Sequence, residues 1–437
     1  MELKTIIVSA FIAFGVSALV SQISLRGATT APPVVTQQAG AAVAAGPSYA
    51  SLLASVDERI GGLKRRTDAR ADDWLGRGHL GTALFERASL TNQVEDFARV
   101  QAVLDDAFAI APEGSGPLLL AARFNVAIHR LAEAEKYLDL VDRRAVPRGN
   151  EQVLSRTLRA EIAVQRGQYQ AAVDALAALA AAAPEAANTE LALYYAKTGK
   201  PDEAAALLAT ALATTRDNDP QRRAWIKLQL GILAMDRGEL QAAQQHLQDA
   251  EAELAGWWLV HENIAEIHSR RDEHDKAIVI FEALVRTADL PQHMDALASL
   301  YRHKGAPEQA EALIERSAAR WEQQLRRFPE SAIGHALQHH LEFGTPERAL
   351  ELALANEALR PGGEAQVSLA RAYLRAGQPT EALAVIERVL ATPYRTARLH
   401  DIAAKVYTAV GDTAAAQAQL SLRLAVNPRF TSNDHSH

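Results

Sequence analysis

The chain has 437 residues, 46 Lys+Arg, 53 Asp+Glu and no Cys, so its formal charge is −7. Without Cys it has neither disulfide staples nor thiolate–metal centres. A mild acidic excess argues against a general nucleic-acid binder, and 48% hydrophobic content is enough for a sizeable core.

Residues Ile6 to Leu25 carry no charge. Twenty helical residues span about 30 Å, the thickness of a bilayer's hydrocarbon core. Lys4 precedes the run and Arg26 follows it, which favours an N-in orientation with the rest of the chain exported. The rival reading is a cleaved signal peptide, for which Val16-Ser17-Ala18 is the best small-residue match. That triplet lies inside the apolar run, so residues 1–26 read as an anchor. Residues 27–47 are uncharged, without aromatics, and punctuated by Pro32, Pro33 and Pro47, which predicts a flexible linker. Next comes a helix starting near Ser48, with Leu52, Val56, Ile60 and Leu63 on one stripe. Over 48–72 it reads as a cap on the helices after it, or as a self-association surface.

From residue 73 to 430 the pattern is helical, broken at Gly, Pro or Asn/Asp every 12 to 18 residues. Aligning the chain on itself brings Ala134, Ala172, Ala204, Ala243, Ala277, Ala310, Ala349, Ala382 and Ala416 into one register. Val100 stands in for Ala one unit earlier. Gly167, Gly199, Gly238, Gly305, Gly344, Gly377 and Gly411 fall at the break within each unit. Tyr195, Tyr301, Tyr373 and Tyr407 recur before it, and Pro112, Pro184, Pro361 and Pro428 close units. His129 and Asp272 stand where that glycine is expected. Wider spacings predict longer helices or loops near 143–150, 214–221 and 318–331.

This register resembles the tetratricopeptide repeat family, whose unit is about 34 residues of helix–turn–helix. The physics agrees. A small residue at the crossing lets two antiparallel helices approach. A turn glycine accepts the positive φ that ends the first helix. One pair cannot bury both its faces, so stacking supplies the core. The resemblance implies an all-α, right-handed solenoid of about ten units. It also implies binding of a protein or peptide in a concave groove lined by the first helices. Mapped here, the groove positions are Trp225, Leu228, Ile232 and Met235, then Glu262, Glu266, Arg270, Asp295, Arg302, Arg371, Arg375, Asp401 and Lys405. Residues 56–84 also look like the entry to the repeat domain of cytochrome c maturation subunits.

Catalytic constellations are not recognisable in the sequence: there is no Walker-type loop, nucleophile elbow or HExxH. His335 and His339 have the i,i+4 spacing of a metal pair. His340 falls at an aromatic packing position, which favours packing for the group. The expected protein is therefore a non-catalytic scaffold without a cofactor. It binds a protein or peptide and no nucleic acid. It is held to the inner membrane through residues 6–25 with a periplasmic repeat domain, or is periplasmic if cleaved. Residues 431–437 read as a polar, disordered tail.

Overall fold

The computed structural model describes residues 47–144, 150–216 and 218–430, apart from the side chains of residues 185 and 186. The predicted membrane run, most of the linker and the tail lie outside the described residues. Among those described, no helix is long and apolar enough to cross a membrane.

The described chain forms helices throughout, without a strand. The cap helix α1 is Tyr49–Asp68, and ten helix pairs follow. The first five are α2 Trp74–Thr91 with α3 Val94–Ile110, α4 Leu118–Ala127 with α5 Leu131–Asp142, α6 Glu151–Gln165 with α7 Tyr169–Ala182, α8 Pro184–Lys197 with α9 Pro201–Thr214, and α10 Pro220–Asp236 with α11 Leu240–Glu253. The second five are α12 Trp258–Arg270 with α13 His274–Thr287, α14 Pro291–His303 with α15 Pro307–Arg327, α16 Pro329–Glu342 with α17 Pro346–Leu359, α18 Gly363–Arg375 with α19 Pro379–Leu390, and α20 Ala397–Ala409 with α21 Thr413–Val426.

Ser48 starts α1 with a capping box: its hydroxyl accepts from the Ser51 backbone, and Ser51 reaches back to the Ser48 N–H. Val56 and Ile60 are buried in the same cluster as Leu84, Phe85 and Val100 of the first pair, so α1 covers that pair's outer face. Every aligned alanine lies in a second helix and is 0% exposed, save Ala416 at 4%. Val100 is also fully buried and comes one turn deeper into its helix than the alanines do in theirs, so α3 begins one turn early. His129 and Asp272 take up positive φ, at 63° and 59°, in the turns that lack glycine. Asn92 does the same in the first pair, with φ 53°. Such residues tolerate the left-handed region better than β-branched ones. Gly344 is absent from the positive-φ set, because that pair turns instead through Thr345, which caps α17, and Pro346. The extra residues predicted near 318–331 lengthen α15 to 21 residues.

The solenoid coils back on itself. The turn of pair one meets the link after pair six through Gln93 and the Ala288 carbonyl. The turn of pair two meets the link after pair seven, where Arg130 lies over the Phe328 ring and pairs with Glu330. In pair three, Gly167 abuts the Pro361 carbonyl. In pair four, the Lys197 carbonyl accepts from Arg395 N–H at 2.8 Å. In pair five, Asn427, beyond α21, reaches the Met235 carbonyl. A Cβ at Gly167 would come within 2.9 Å of that Pro361 oxygen, so this glycine serves both its turn and the coil contact. The hydrophobic core follows the same plan: one cluster joins Tyr169, Leu176 and Tyr194 of the first coil to Trp321, Leu369 and Tyr394 of the second.

Candidate functional site

Coiling decides what becomes of the stripe on the first helices. Trp225 is 1% exposed, Leu228 0% and Met235 0%, and all three sit in the core cluster that spans pairs four to seven. Glu262 is buried with its Oε1 3.5 Å from His293 Nε2. Glu266 takes the Arg270 guanidinium at 2.5 Å, and both side chains are buried. Arg270 also donates to the Met235 carbonyl at 3.1 Å, tying pair six to pair five. Asp295 is 1% exposed; its two oxygens are held by Trp321 Nε1 and His339 Nδ1, each at 2.8 Å.

His339, Asp295 and Ser317 have the composition of a hydrolytic triad but the wrong wiring. The serine hydroxyl, 3.3 Å away, faces the same ring nitrogen as the aspartate, so it has no separate base. All three are at most 2% exposed. His335 is stacked on Trp321, 5.7 Å between centroids and 4° apart, and burial pulls its pKa down to about 4. The two members of the suggested metal pair therefore face different partners. Among the described residues no group of three His, Cys, Asp or Glu is placed to hold a metal ion.

The other predicted residues gather at the free edge of the second coil. Glu342, at the end of α16, accepts from Ser299. Burial pushes its carboxyl up to about 8, against the pull of the Ser299 hydroxyl and of Arg371 and Arg302. Arg371 donates to Gln338 Oε1 at 3.2 Å. Burial, with Arg398 and Arg375 nearby, brings its guanidinium down to about 10. Arg375 caps the turn of pair eight, donating to the His340 and Gly344 carbonyls. Arg302 lies 4.8 Å over the Phe343 ring, with 46% of its side chain exposed. Lys405 is 44% exposed and pairs with buried Asp401 at 2.7 Å; Arg423 holds the other oxygen at 3.0 Å. The sequence stripe thus splits into a buried polar interior and a cationic edge of Arg302, Arg371, Arg375 and Lys405.

A cavity of about 120 Å³, which no sequence pattern pointed to, opens between the coils. Its walls include His129 and Gln165 from the first coil and Trp258, His335, Arg360 and Glu364 from the second. Trp257 and Trp258 are both buried, and Trp258 Nε1 donates to the Leu90 carbonyl at 2.8 Å, another coil-to-coil bond.

The family model for the tetratricopeptide repeat matches residues 294–326 and 367–398, which are pairs seven and nine. A stretch of 176 residues, 39% of this chain, is 28% identical to a cellulose synthase operon protein C of Xanthomonas axonopodis pv. citri. The match spans 12% of that relative's length. Among solved structures, a human IFIT1 dimer with m7Gppp-AAAA aligns over 86% of this chain and 94% of its own, at 14% identity and a TM-score of 0.40. A tetratricopeptide repeat protein from Parabacteroides merdae aligns over 55% of this chain and 91% of its own, at 17% identity and a TM-score of 0.34. The two matched units are tetratricopeptide repeats, and they share their crossing alanine and turn glycine with other pairs in one register.

Proposed function

We propose that this protein is a non-catalytic scaffold of the bacterial cell envelope, and that it recruits a protein partner through an acidic segment docked on the second coil's free edge. The observation that carries the reading is the cationic edge. Arg302, Arg371 and Arg375 converge on one carboxyl, Glu342, which burial keeps largely protonated at neutral pH. Lys405 stands beyond Asp401 on the neighbouring helix. Arg302 also meets Glu311 at 3.5 Å, but the three guanidiniums outnumber the ionised carboxylate beside them, which suits partner carboxylates that arginine grips in forked geometry.

The envelope setting rests on the uncharged run of residues 6–25 and the linker after it, which tether the repeats outside the inner membrane. Fractionation of cells expressing the full chain, with N-terminal sequencing, tests this. Photo-crosslinkers at positions 302 and 405 should capture the same envelope protein. The double exchange Arg302→Glu with Lys405→Glu should lower its capture at least about tenfold, more so at low salt. Capture of no envelope protein from either position would end the proposal. The relative named for a cellulose synthase operon supports a second reading, in which the partner belongs to a polysaccharide-producing apparatus. The resemblance of residues 56–84 supports cytochrome c maturation instead. Deletion strains assayed for secreted cellulose and for c-type cytochromes separate these two.

A further inference from the structure

The cavity between the coils is built around a charge. Arg360, at the end of α17, enters it from the second coil. Its Nη2 donates to Asn356 Oδ1 at 2.7 Å, while its Nε is buried without a hydrogen-bond partner. Gly334 lies in the middle of α16 beside that guanidinium; a Cβ there would come within 2.7 Å of Nη2. Glycine inside a helix costs about 1 kcal/mol relative to alanine. Here the missing side chain leaves room for the Arg360 head group.

The first coil presents Gln165 from the opposite side, 3% exposed. His129 Nδ1 lies 2.9 Å from Gln165 Oε1, which fixes the amide. The amide Nε2 makes no hydrogen bond within 3.5 Å; it meets the Glu161 carboxyl, one turn back on α6, only in a longer, weaker interaction. A buried amide donor left unmade costs about 1–3 kcal/mol. His129 is held neutral by burial, with Arg360 acting in the same sense. Lys197 and Glu364 also border the space, and Glu364 is the carboxylate whose charge acts on Arg360, although it makes no hydrogen bond to the buried Nε. Phe97, Val164, Trp258 and Leu259 supply apolar walls. An apolar cavity of about 150 Å³ takes up benzene, so a space of this size suits one ring or a short branched chain.

We propose that this cavity binds a small organic carboxylate with an apolar body, its carboxylate on Arg360 and the Gln165 amide and its body against Phe97, Val164, Trp258 and Leu259. The ligand bridges the two coils and so adds to the contacts that close the solenoid. This goes beyond the scaffold reading, since none of Arg302, Arg371, Arg375 and Lys405 lines the cavity and the test uses no protein partner.

The test titrates the full chain with benzoate and phenylacetate, and with benzamide and phenylacetamide as neutral counterparts. Tryptophan fluorescence follows Trp258, and saturation-transfer NMR follows the ligand. A carboxylate should bind at least about tenfold tighter than its amide, because a charge-assisted hydrogen bond is lost in the latter. Arg360→Met should weaken carboxylate binding by a similar factor with an unchanged far-ultraviolet circular dichroism spectrum. Gly334→Ala should do the same by displacing the guanidinium. If Arg360→Met does not fold, Gln165→Leu takes its place, and its affinity should also fall. Absence of carboxylate binding at millimolar concentration, equal binding of the amides, or unchanged affinity in the folded variants would each overturn the proposal.

Discussion

Pair five and pair ten are made from the same unit, yet they live in different surroundings. In α11, Leu240, Ala243, Leu247 and Ala250 are all buried, because pair six and the second coil's end close over pair five. In α21, of equal length, only Ala416 is buried, and Leu422 and Leu424 are 46% and 47% exposed. Among the described residues no further pair covers that face. A repeat's sequence sets its fold, while its neighbours set how much each residue matters. In this solenoid the neighbours include units one coil away, so stability is less local than in an open repeat array.

The sharpest test enlarges the crossing alanine in both places. Ala243→Leu inserts three carbons where Leu247 and Gly231 already touch, and should cost about 3 kcal/mol. Ala416→Leu crowds only its own pair's first helix, since no described pair follows, and should cost less, about 1–2 kcal/mol. Urea denaturation measures both, and equal losses would break the comparison.

Next in size is a pH effect at the free edge. The Glu342 carboxyl, raised by burial to about 8, keeps its proton in the folded protein where the unfolded chain releases it above about 4.5. Folding then binds the proton more tightly, so this residue's contribution falls as pH rises from about 4.5 to about 8. Glu342→Gln removes the titration. Thermal melts should show it close to the parent at pH 5 and more stable by about 2 kcal/mol at pH 8. Parallel curves would show that the carboxyl titrates normally.

A smaller loss is expected from loosening one coil contact. Tyr169 Oη accepts from the Gly363 N–H at 2.6 Å, and Tyr169 and Tyr394 lie 6.4 Å apart between centroids. Tyr169→Phe keeps the ring and orphans that buried N–H, at about 1–2 kcal/mol. Hydrogen exchange should quicken at Gly363 and spread into pairs three and nine together. Exchange confined to pair nine would mean the coils are not coupled there.

What the sequence makes legible is what repeats locally. The crossing alanines, turn glycines and apolar stripe of α1 each follow from a spacing of a few residues, and ten pairs are counted from them. His129 and Asp272 show that the turn itself is specified even where its usual residue is missing. Contacts between coils leave no such trace. Tyr169 meets Tyr394, Phe124 meets Phe328 and Trp258 meets Leu90 across roughly 170 to 225 residues, with no periodicity joining them. For the same reason one stripe carries two fates: Asp295 and Glu266 are sealed while Arg302 and Lys405 reach solvent. The positions repeat, but the coil that covers some of them does not. Gly334 leaves no readable mark of the cavity either, since Gly81 and Gly231 also sit inside helices and line no part of it.

The smallest effect belongs to the exposed face of α21. Leu422→Glu with Leu424→Glu removes no buried contact, since both side chains already stand nearly half in water. Substitutions at such positions usually change stability by less than about 0.5 kcal/mol. Charge at that face instead acts on association. If a second copy of the chain stacks there as a next repeat would, sedimentation at rising concentration will show the parent forming a dimer and the double variant remaining a monomer. If both sediment as monomers, pair ten is stable with its outer face in water. Its low burial then measures how little one face of a single pair needs once the other is covered.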